Sequence, residues 1–201
     1  MKDKAPRPYR MTARAQAAER TGERILDAML ARFATVAYDR IRLEDVAADA
    51  EVTVQTLIRR FGTKHGLLAA TVEREFVRLA ADRTAAMGDS PERTLHALVE
   101  YYEHHGALIL KLYAEAAQAP GVPELAARSR AYHVDWCRAA FSESLEPSRD
   151  RSTRARRLAQ VVALCDATTW RILRFDSGLS PHQTEQALLE MLLPLLGPQN
   201  G

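Results

Sequence analysis

Cysteine is scarce in this chain of 201 residues: Cys137 and Cys165 are the only two, and they form no Cys-x-x-Cys pair. Two thiols so spaced exclude a disulfide framework and a zinc-finger ligand set, and they fit ordinary packing in a reducing compartment. No apolar stretch approaches the ~18 residues of a membrane span. The basic N-terminus, MKDKAPRPYRMTARAQ, lacks the apolar core of a secretory signal. A cytoplasmic location is the expectation. There is no alternating strand pattern, internal repeat, phosphate-binding glycine loop or nucleophile elbow. No Glu-x-x-His occurs, which disfavours a di-iron helical bundle. His104 and His105 are adjacent, hence about 100° apart on a helix, which is poor geometry for chelation. No catalytic residue, metal ligand or cofactor is assigned.

What is present is helical pattern and uneven charge. The composition, 47% hydrophobic and 27% charged, is that of a globular protein with a sizeable core. Net charge is +2, but residues 1–65 carry 13 Lys+Arg against 9 Asp+Glu, and the remaining 136 carry 15 against 17. A basic front on a nearly neutral body suits a nucleic-acid-binding head. Residues 1–20, with Pro6 and Pro8 near their start, read as a solvated flexible arm, or as an arm that tracks DNA backbone or minor groove on binding. Thr21 to Ala37 reads as a helix with Leu26, Met29, Leu30 and Phe33 on one stripe.

The stretch from Arg42 to Lys64, RLEDVAADAEVTVQTLIRRFGTK, is the most informative. Leu43–Ala50 and Val54–Phe61 read as two short helices joined by a turn at Glu51, Val52 and Thr53. Thr53 is placed to cap the second helix, which buries Leu57 and Phe61 at i and i+4. Two short helices joined so tightly form a helix-turn-helix, whose second helix can enter the DNA major groove. Val54, Gln55, Ile58, Arg59 and Arg60 would then lie outside. Gln55 suits a base edge, and Arg59 and Arg60 suit guanine or phosphate. The Thr53 hydroxyl and the first amides of the helix suit a phosphate oxygen, and Lys64 a second one. A surface hairpin with no ligand is the bland alternative.

Beyond Lys64 a helix reaches about Ala86, with Leu68, Val72, Phe76 and Leu79 on one face. Gly88-Asp89-Ser90-Pro91 stops it and caps the next. Helices then run from Pro91 to about His105, Ala107 to Gln118, Glu124 to about Leu145, and from beyond Pro147 to about Phe175. Ser180-Pro181 opens the last, ending near Leu196. The expectation is an all-α protein of about nine helices. Leu158, Val162, Cys165, Thr169 and Ile172 repeat at 4, 3, 4 and 3, a helix–helix seam. With Leu188, Leu192 and Leu195 of the final helix they are the expected surface of a symmetric dimer. Polar-tipped aromatics concentrate in the body: Tyr101, Tyr102, His105, Tyr113, Tyr132, His133, Trp136 and, later, Trp170. Each alone reads as core or surface; as a group they are the candidates for binding a small organic molecule. The run Arg149, Arg151, Arg154, Arg156 and Arg157 reads as a solvated loop and a late-starting helix, since positive charge opposes the dipole there.

A three-helix head, a connecting helix and an all-α body together resemble the TetR family of transcriptional regulators. ERILDAMLARFA, LEDVAADAEV, TLIRRFGTK and HGLLAATV, over residues 21–76, carry the resemblance. It implies domains at 21–66 for DNA binding and 67–201 for effector binding and dimerisation, the arm 1–20 preceding them. It also implies a homodimer, usually a repressor, that binds a palindromic operator and is released by a small-molecule effector. By the motif, Thr53, Val54, Gln55, Thr56, Arg60 and Lys64 fall on positions that face DNA, and the sequence adds Arg42, Ile58 and Arg59. The family's usual glycines are Ala37 and Glu51 here, so those backbones are expected to differ slightly. Ile58 stands where an aromatic is usual, and Arg42 where Thr or Ser usually caps. The rival class is an all-α small-molecule-binding or catalytic protein whose hairpin is only scaffold.

Overall fold

The computed structural model describes residues 8–115, 122–145 and 150–196, with side chains from Ala15 onward and without that of Ser144. Among the described residues the secondary structure is helical and contains no strand. The chain divides into two compact units, with Arg74 closing the first part of the head and Glu75 opening the body.

In the head, α1 spans Pro8–Thr35, α2 Leu43–Asp49 and α3 Val54–Phe61; α4, Lys64–Ala85, begins in the head and ends in the body. The first correction concerns the arm. Its residues 8–20 continue α1 as helix, while residues 1–7 lie outside the described part. Pro8 suits a first helical turn, and Ala, Arg, Gln and Glu dominate the next three turns, all strong helix formers. Charge and the two prolines suggested a tail; propensity prevails. Ile25, Leu26, Met29 and Phe33 form the buried stripe of α1, with Leu30 half-buried. Val46, Ala47, Leu57, Leu67 and Leu68 are among the buried residues of the other head helices.

Ion pairs on its rim fix the hairpin to α1. Arg32 grips Asp49 with two bonds of 2.6 and 2.9 Å, and Arg24 reaches Glu51 at 3.1 Å. Arg74 pairs with Glu23 and Asp27, both at 2.8 Å.

The turn after α2 has Schellman geometry: the Val52 amide donates to the Ala47 carbonyl (2.9 Å) and the Glu51 amide to that of Ala48 (3.1 Å). Glu51 takes the left-handed conformation this requires, φ 53°. The backbone therefore keeps the glycine conformation at Glu51 and carries the strain. At Ala37, φ −60° and ψ 141° are ordinary, so no glycine is needed.

In the body, α5 spans Pro91–Glu115, α6 Val122–Ala140, α7 Ser142–Leu145, α8 Arg151–Leu164, α9 Ala167–Arg171 and α10 Pro181–Leu196; a π turn, Ile172–Asp176, comes directly after α9. Ser90 caps α5 through the Arg93 amide, and Ser180 with Gln183 forms a reciprocal capping box on α10. Several boundaries differ from expectation, the helix expected to about Leu145 among them, which is broken between Ala140 and Ser142. The helices anticipated on either side of Gly106 are one, because Gly106 is clearance for an indole: a Cβ there would lie 2.4 Å from Trp170 Cζ3. The long helix expected through Phe175 breaks at Cys165, and Asp166 caps α9 through the Thr168 amide at 2.7 Å. The start of α8 is not late: Asp150 accepts from the amides of Ser152 and Thr153, which offsets the arginines. Arg149 lies outside the described residues. Leu95, Leu98, Phe141, Val161, Leu188 and Leu192 are among the buried residues at the centre of the body core.

Candidate nucleic-acid interface

Thr53 starts α3 in extended geometry, and its hydroxyl accepts the Thr56 amide at 3.2 Å and meets the Thr56 hydroxyl at 3.0 Å. The Thr56 and Leu57 amides donate to the Thr53 carbonyl. Those of Val54 and Gln55 precede the first internal bond and point out of the helix start. Leu57 is buried beneath α3, while Phe61 is only half-buried. On the outer side Gln55, Ile58, Arg59 and Arg60 are exposed, with Val54 and Thr56 half-buried at the rim. Ile58, 42% exposed, is one of the few large apolar residues on the surface. The outer face of α3 thus offers an amide, an aliphatic side chain and two guanidinium groups beside a polar helix start.

Two basic residues are less free than expected. Arg60 folds back across α1, donating to the Ala18 carbonyl at 2.8 Å. Gly22 makes room for it, since a Cβ there would lie 2.2 Å from Arg60 Nη2. An open groove of about 460 Å³ runs along Ala17, Ala18, Thr21, Thr56, Arg59 and Arg60. The Lys64 side chain is turned toward the backbone before α2. Its ammonium donates to the carbonyls of Tyr38, Ile41 and Asp39 at 2.9, 2.9 and 3.3 Å, and lies 4.4 Å over the Tyr38 ring. At the 3₁₀ turn Tyr38–Arg40 the Tyr38 carbonyl also accepts the Ile41 amide, at 3.2 Å, so Lys64 adds a second donor there. Arg42 sits ahead of α2 with no side-chain cap, largely exposed and 3.7 Å from Glu44.

Within the body, the aromatic candidates divide. Tyr101, Tyr102, His133 and Trp136 gather around Arg83, which sequence reasoning did not single out because an arginine on a helix usually faces water. Arg83 is buried; its Nη2 is 2.9 Å from His133 Nδ1 and its guanidinium lies 4.1 Å over Trp136. The Tyr101 and Tyr102 rings lie 5.7 and 5.6 Å from it, and its Nε has no hydrogen-bond partner among the described residues. Burial pushes the Tyr101 hydroxyl up to about 12 and that of Tyr102 well above the usual range. Tyr132 reaches the Ala80 carbonyl (2.7 Å) and Thr84 (2.9 Å), and Tyr113 reaches Ser129 (3.2 Å). His105 is half-buried beside Tyr101, and burial lowers its pKa. Trp170 packs against the Tyr102 ring, centroids 5.8 Å apart, wedged against Gly106 and bonded to Glu103 at 2.8 Å. Tyr102, His133, Trp136 and Trp170 are enclosed core, not free surface.

The residues of the expected dimer surface divide: three of them are core of the protomer. Cys165, Leu188 and Leu192 are buried within the protomer, and Leu158 and Val162 are half-buried against its core. The break at Cys165 interrupts the heptad-like spacing, so one continuous seam does not form. Thr169 turns its hydroxyl to the Ala163 carbonyl, 2.6 Å away, and Leu195 is half-buried. Ile172, of the expected set, stands outward, as do Phe175 and Met191, of which Phe175 is 61% exposed. Phe175 was not anticipated. The π turn that presents Phe175 is pinned by Arg174, whose Nε and Nη2 donate to Glu103 at 2.8 and 3.1 Å.

Among the described residues no group of three or more His, Cys, Asp or Glu could hold a metal ion, and no helix is long and apolar enough to cross a membrane.

Residues 25–71 match the family described as bacterial regulatory proteins, tetR family. Over 79 residues the chain is 40% identical to the HTH-type transcriptional repressor KstR of Mycolicibacterium smegmatis, covering 38% of this chain and 39% of that protein. The KstR repressor of Mycobacterium tuberculosis is 39% identical over 79 residues, 38% of this chain and 36% of that protein. The chain thus spans well under half the length of these curated relatives. The fold is similar to that of a transcriptional regulator from Pseudomonas aeruginosa PAO1, with TM-score 0.69, 16% identity and coverage of 89% and 91% of the two chains. A regulator from Saccharomonospora viridis, solved in complex with choline, gives TM-score 0.62 at 17% identity, covering 87% and 96%.

Proposed function

We infer, from a chain that belongs to the TetR family of transcriptional regulators through its N-terminal head, that it is a homodimeric repressor. It binds a palindromic operator and leaves it when a small organic molecule enters the body. The observation that carries this reading is the outer face of α3, with Gln55, Ile58 and Arg59 exposed beside the Thr53 cap. In the major groove Gln55 reads an adenine edge, Arg59 a guanine or phosphate, and Ile58 and Val54 a thymine methyl. Thr53, Thr56 and the first amides of α3 hold one phosphate, and Arg42 another. Arg60 joins them on leaving the Ala18 carbonyl, a single exposed hydrogen bond that a phosphate can replace. Lys64 acts from behind, fixing the turn before α2.

Two copies meet through Ile172, Phe175, Met191 and the half-buried Leu195, an arrangement the outward apolar residues of the π turn and α10 support. The effector lodges near Tyr101, Tyr113 and Tyr132, where the unmet Nε of Arg83 offers a donor to an acceptor group. That the regulator from Saccharomonospora viridis was solved with choline supports a small organic effector.

The test is selection of random duplex DNA by the purified protein at two salt concentrations, then binding of Gln55→Ala and Arg59→Ala. An enriched palindrome whose affinity falls with salt is expected. Each substitution should weaken it by roughly ten- to a hundredfold, in keeping with about 1–3 kcal/mol per base contact. A folded protein that selects no sequence would overturn the reading and leave the body as the functional part.

A further inference from the structure

A buried cation in the body has no carboxylate beside it among the described residues. Arg83 stands in the last turn of α4, is 5% exposed, and has its guanidinium walled by aromatic rings. The Trp136 ring lies 4.1 Å from it, and those of Tyr102 and Tyr101 5.6 and 5.7 Å. A guanidinium carries donors only. Among the described residues one is met: Nη2 donates to His133 Nδ1 at 2.9 Å. His133 then holds its proton on Nε2, which donates to the Val162 carbonyl at 2.9 Å. Asp166 lies beyond the imidazole, 4.0 Å from Nε2, and caps α9. Nε of Arg83 is buried and meets no acceptor among those residues.

Taking a charge out of water costs free energy that a counter-ion and hydrogen bonds restore. The half-buried Arg174 has both, held by Glu103 at 2.8 and 3.1 Å. Arg83, buried deeper, has π faces and one imidazole nitrogen; the faces favour a cation but accept nothing from Nε. Burial keeps the Tyr102 hydroxyl protonated and pushes that of Tyr101 up to about 12, so neither supplies an anion. Cys137 has its sulfur at the His133 ring, 3.8 Å from Nε2, and leaves Nε of Arg83 unmet whether ionised or not. Of the four rings around Arg83, those of Tyr102, His133 and Trp136 are buried, while Tyr101 reaches solvent. The Tyr101 hydroxyl makes no hydrogen bond among the described residues, so no polar contact fixes its ring. Tyr101 packs on His105 at 5.0 Å, and Leu108 and Leu112 continue the same stripe of α5, all four half-buried. A partly open, largely apolar stripe thus leads to the ring that covers the cation.

We propose that the body binds an organic carboxylate, whose anionic group accepts from Nε of Arg83 and whose apolar part lies along Tyr101, His105, Leu108 and Leu112 of α5. The inference rests on the reading of the body as an effector site and names the chemical class of that effector. A carboxylate answers both deficits of Arg83: its charge offsets the guanidinium, and its oxygen takes the unused N–H. A neutral amide answers only the second. A cation answers neither and is repelled. Entry asks the Tyr101 ring to swing aside, a rotation about side-chain bonds that breaks no hydrogen bond of its own.

Octanoate and phenylacetate are titrated into the full chain beside octanamide and phenylacetamide, with choline as the cationic control, and tryptophan fluorescence and Tm are read. Each carboxylate should bind at least about tenfold tighter than its amide, the difference between a charge-assisted and a neutral hydrogen bond. Arg83→Gln should abolish that preference, and Arg83→Lys should keep part of it. Tyr101→Ala, which removes the cover and keeps the cation, should bind carboxylates faster with the preference intact; circular dichroism establishes that each variant is folded. Amides that bind as tightly as their carboxylates overturn the proposal, as does a folded Arg83→Gln protein that still prefers carboxylates, or wild-type protein that binds neither carboxylate. The same compounds are added to the protein on its selected palindrome. Carboxylate binding that leaves the DNA bound overturns the effector reading and sustains the anion site. Release by choline or an amide, with no preference for carboxylates, sustains the effector reading and overturns the anion site.

Discussion

Gly106 and Gly22 both lie inside long helices, yet the same substitution should move stability in opposite directions. Replacing an interior helical glycine by alanine is worth about 1 kcal/mol in the absence of a clash. At Gly106 the new methyl would stand 2.4, 2.7 and 2.9 Å from three carbons of the Trp170 indole. That indole is buried, bonded to Glu103 at 2.8 Å and packed edge-on to Phe175 at 5.3 Å, so it has nowhere to go without loss. Overpacking of this kind costs about 1–3 kcal/mol, and loosening the Glu103 bond about 1 more. The net for Gly106→Ala is a loss of about 1–3 kcal/mol. In a chain of this size that lowers Tm by roughly 2–4 °C per kcal/mol. At Gly22 the obstacle is the far end of Arg60, an exposed and flexible side chain. Gly22→Ala should therefore fall between no change and a gain of about 1 kcal/mol. Urea unfolding monitored by tryptophan fluorescence measures both, and near-UV circular dichroism reports the displaced indole. A Gly106→Ala protein as stable as the wild type would refute the packing argument.

Glu51→Gly should raise stability by up to about 1 kcal/mol, relief of the left-handed strain exceeding the entropy of glycine and the exposed Arg24 pair; an unfolding curve shifted the other way would show that the pair dominates. If the proposed dimer forms through the π turn, Phe175→Asp should leave the fold intact and shift sedimentation toward monomer; an unchanged sedimentation coefficient would refute Phe175 as part of its surface. His96 has its pKa raised, chiefly by the hydrogen bond to Glu185 at 3.0 Å on α10. Its contribution is thus fully present below its unfolded pKa, about 6.5, and fades as pH rises through the higher folded value. His96→Gln should remove that part of the pH dependence, and an identical slope in both proteins would contradict it.

Helix α3 was legible because its determinants are local. The Thr53 cap, the Leu57 position and the outward Gln55, Ile58 and Arg59 all result from helical spacing within a dozen residues. The capping box at Ser180 and Gln183 was half-legible for the same reason. Residues 8–20 were misread because charge and proline drew attention from a run of good helix formers that continues into α1. Gly106 was misread as punctuation, since a glycine that ends a helix and one that admits an indole look alike until the indole is placed. Lys64 and Arg60 show the matching difficulty for charge: a basic residue at the right position can be spent on carbonyls from a distant segment.

The sequence by itself determined that this protein is helical, that its hairpin presents a polar face, and where most apolar faces lie. These depend on periodicity and capping, which act over a few residues. Only the tertiary structure decided what each apolar face meets. Periodicity marked Cys165, Leu188 and Leu192 as apolar, but their burial inside the protomer, with Phe175 and Met191 turned outward, depends on how the α8 break and the π turn re-aim the chain. Nor could spacing reveal that Arg83, His133, Cys137 and Cys165 share one core. Long-range contact is a property of packing, and side chains dozens of residues apart acquire their chemistry only when packing brings them together.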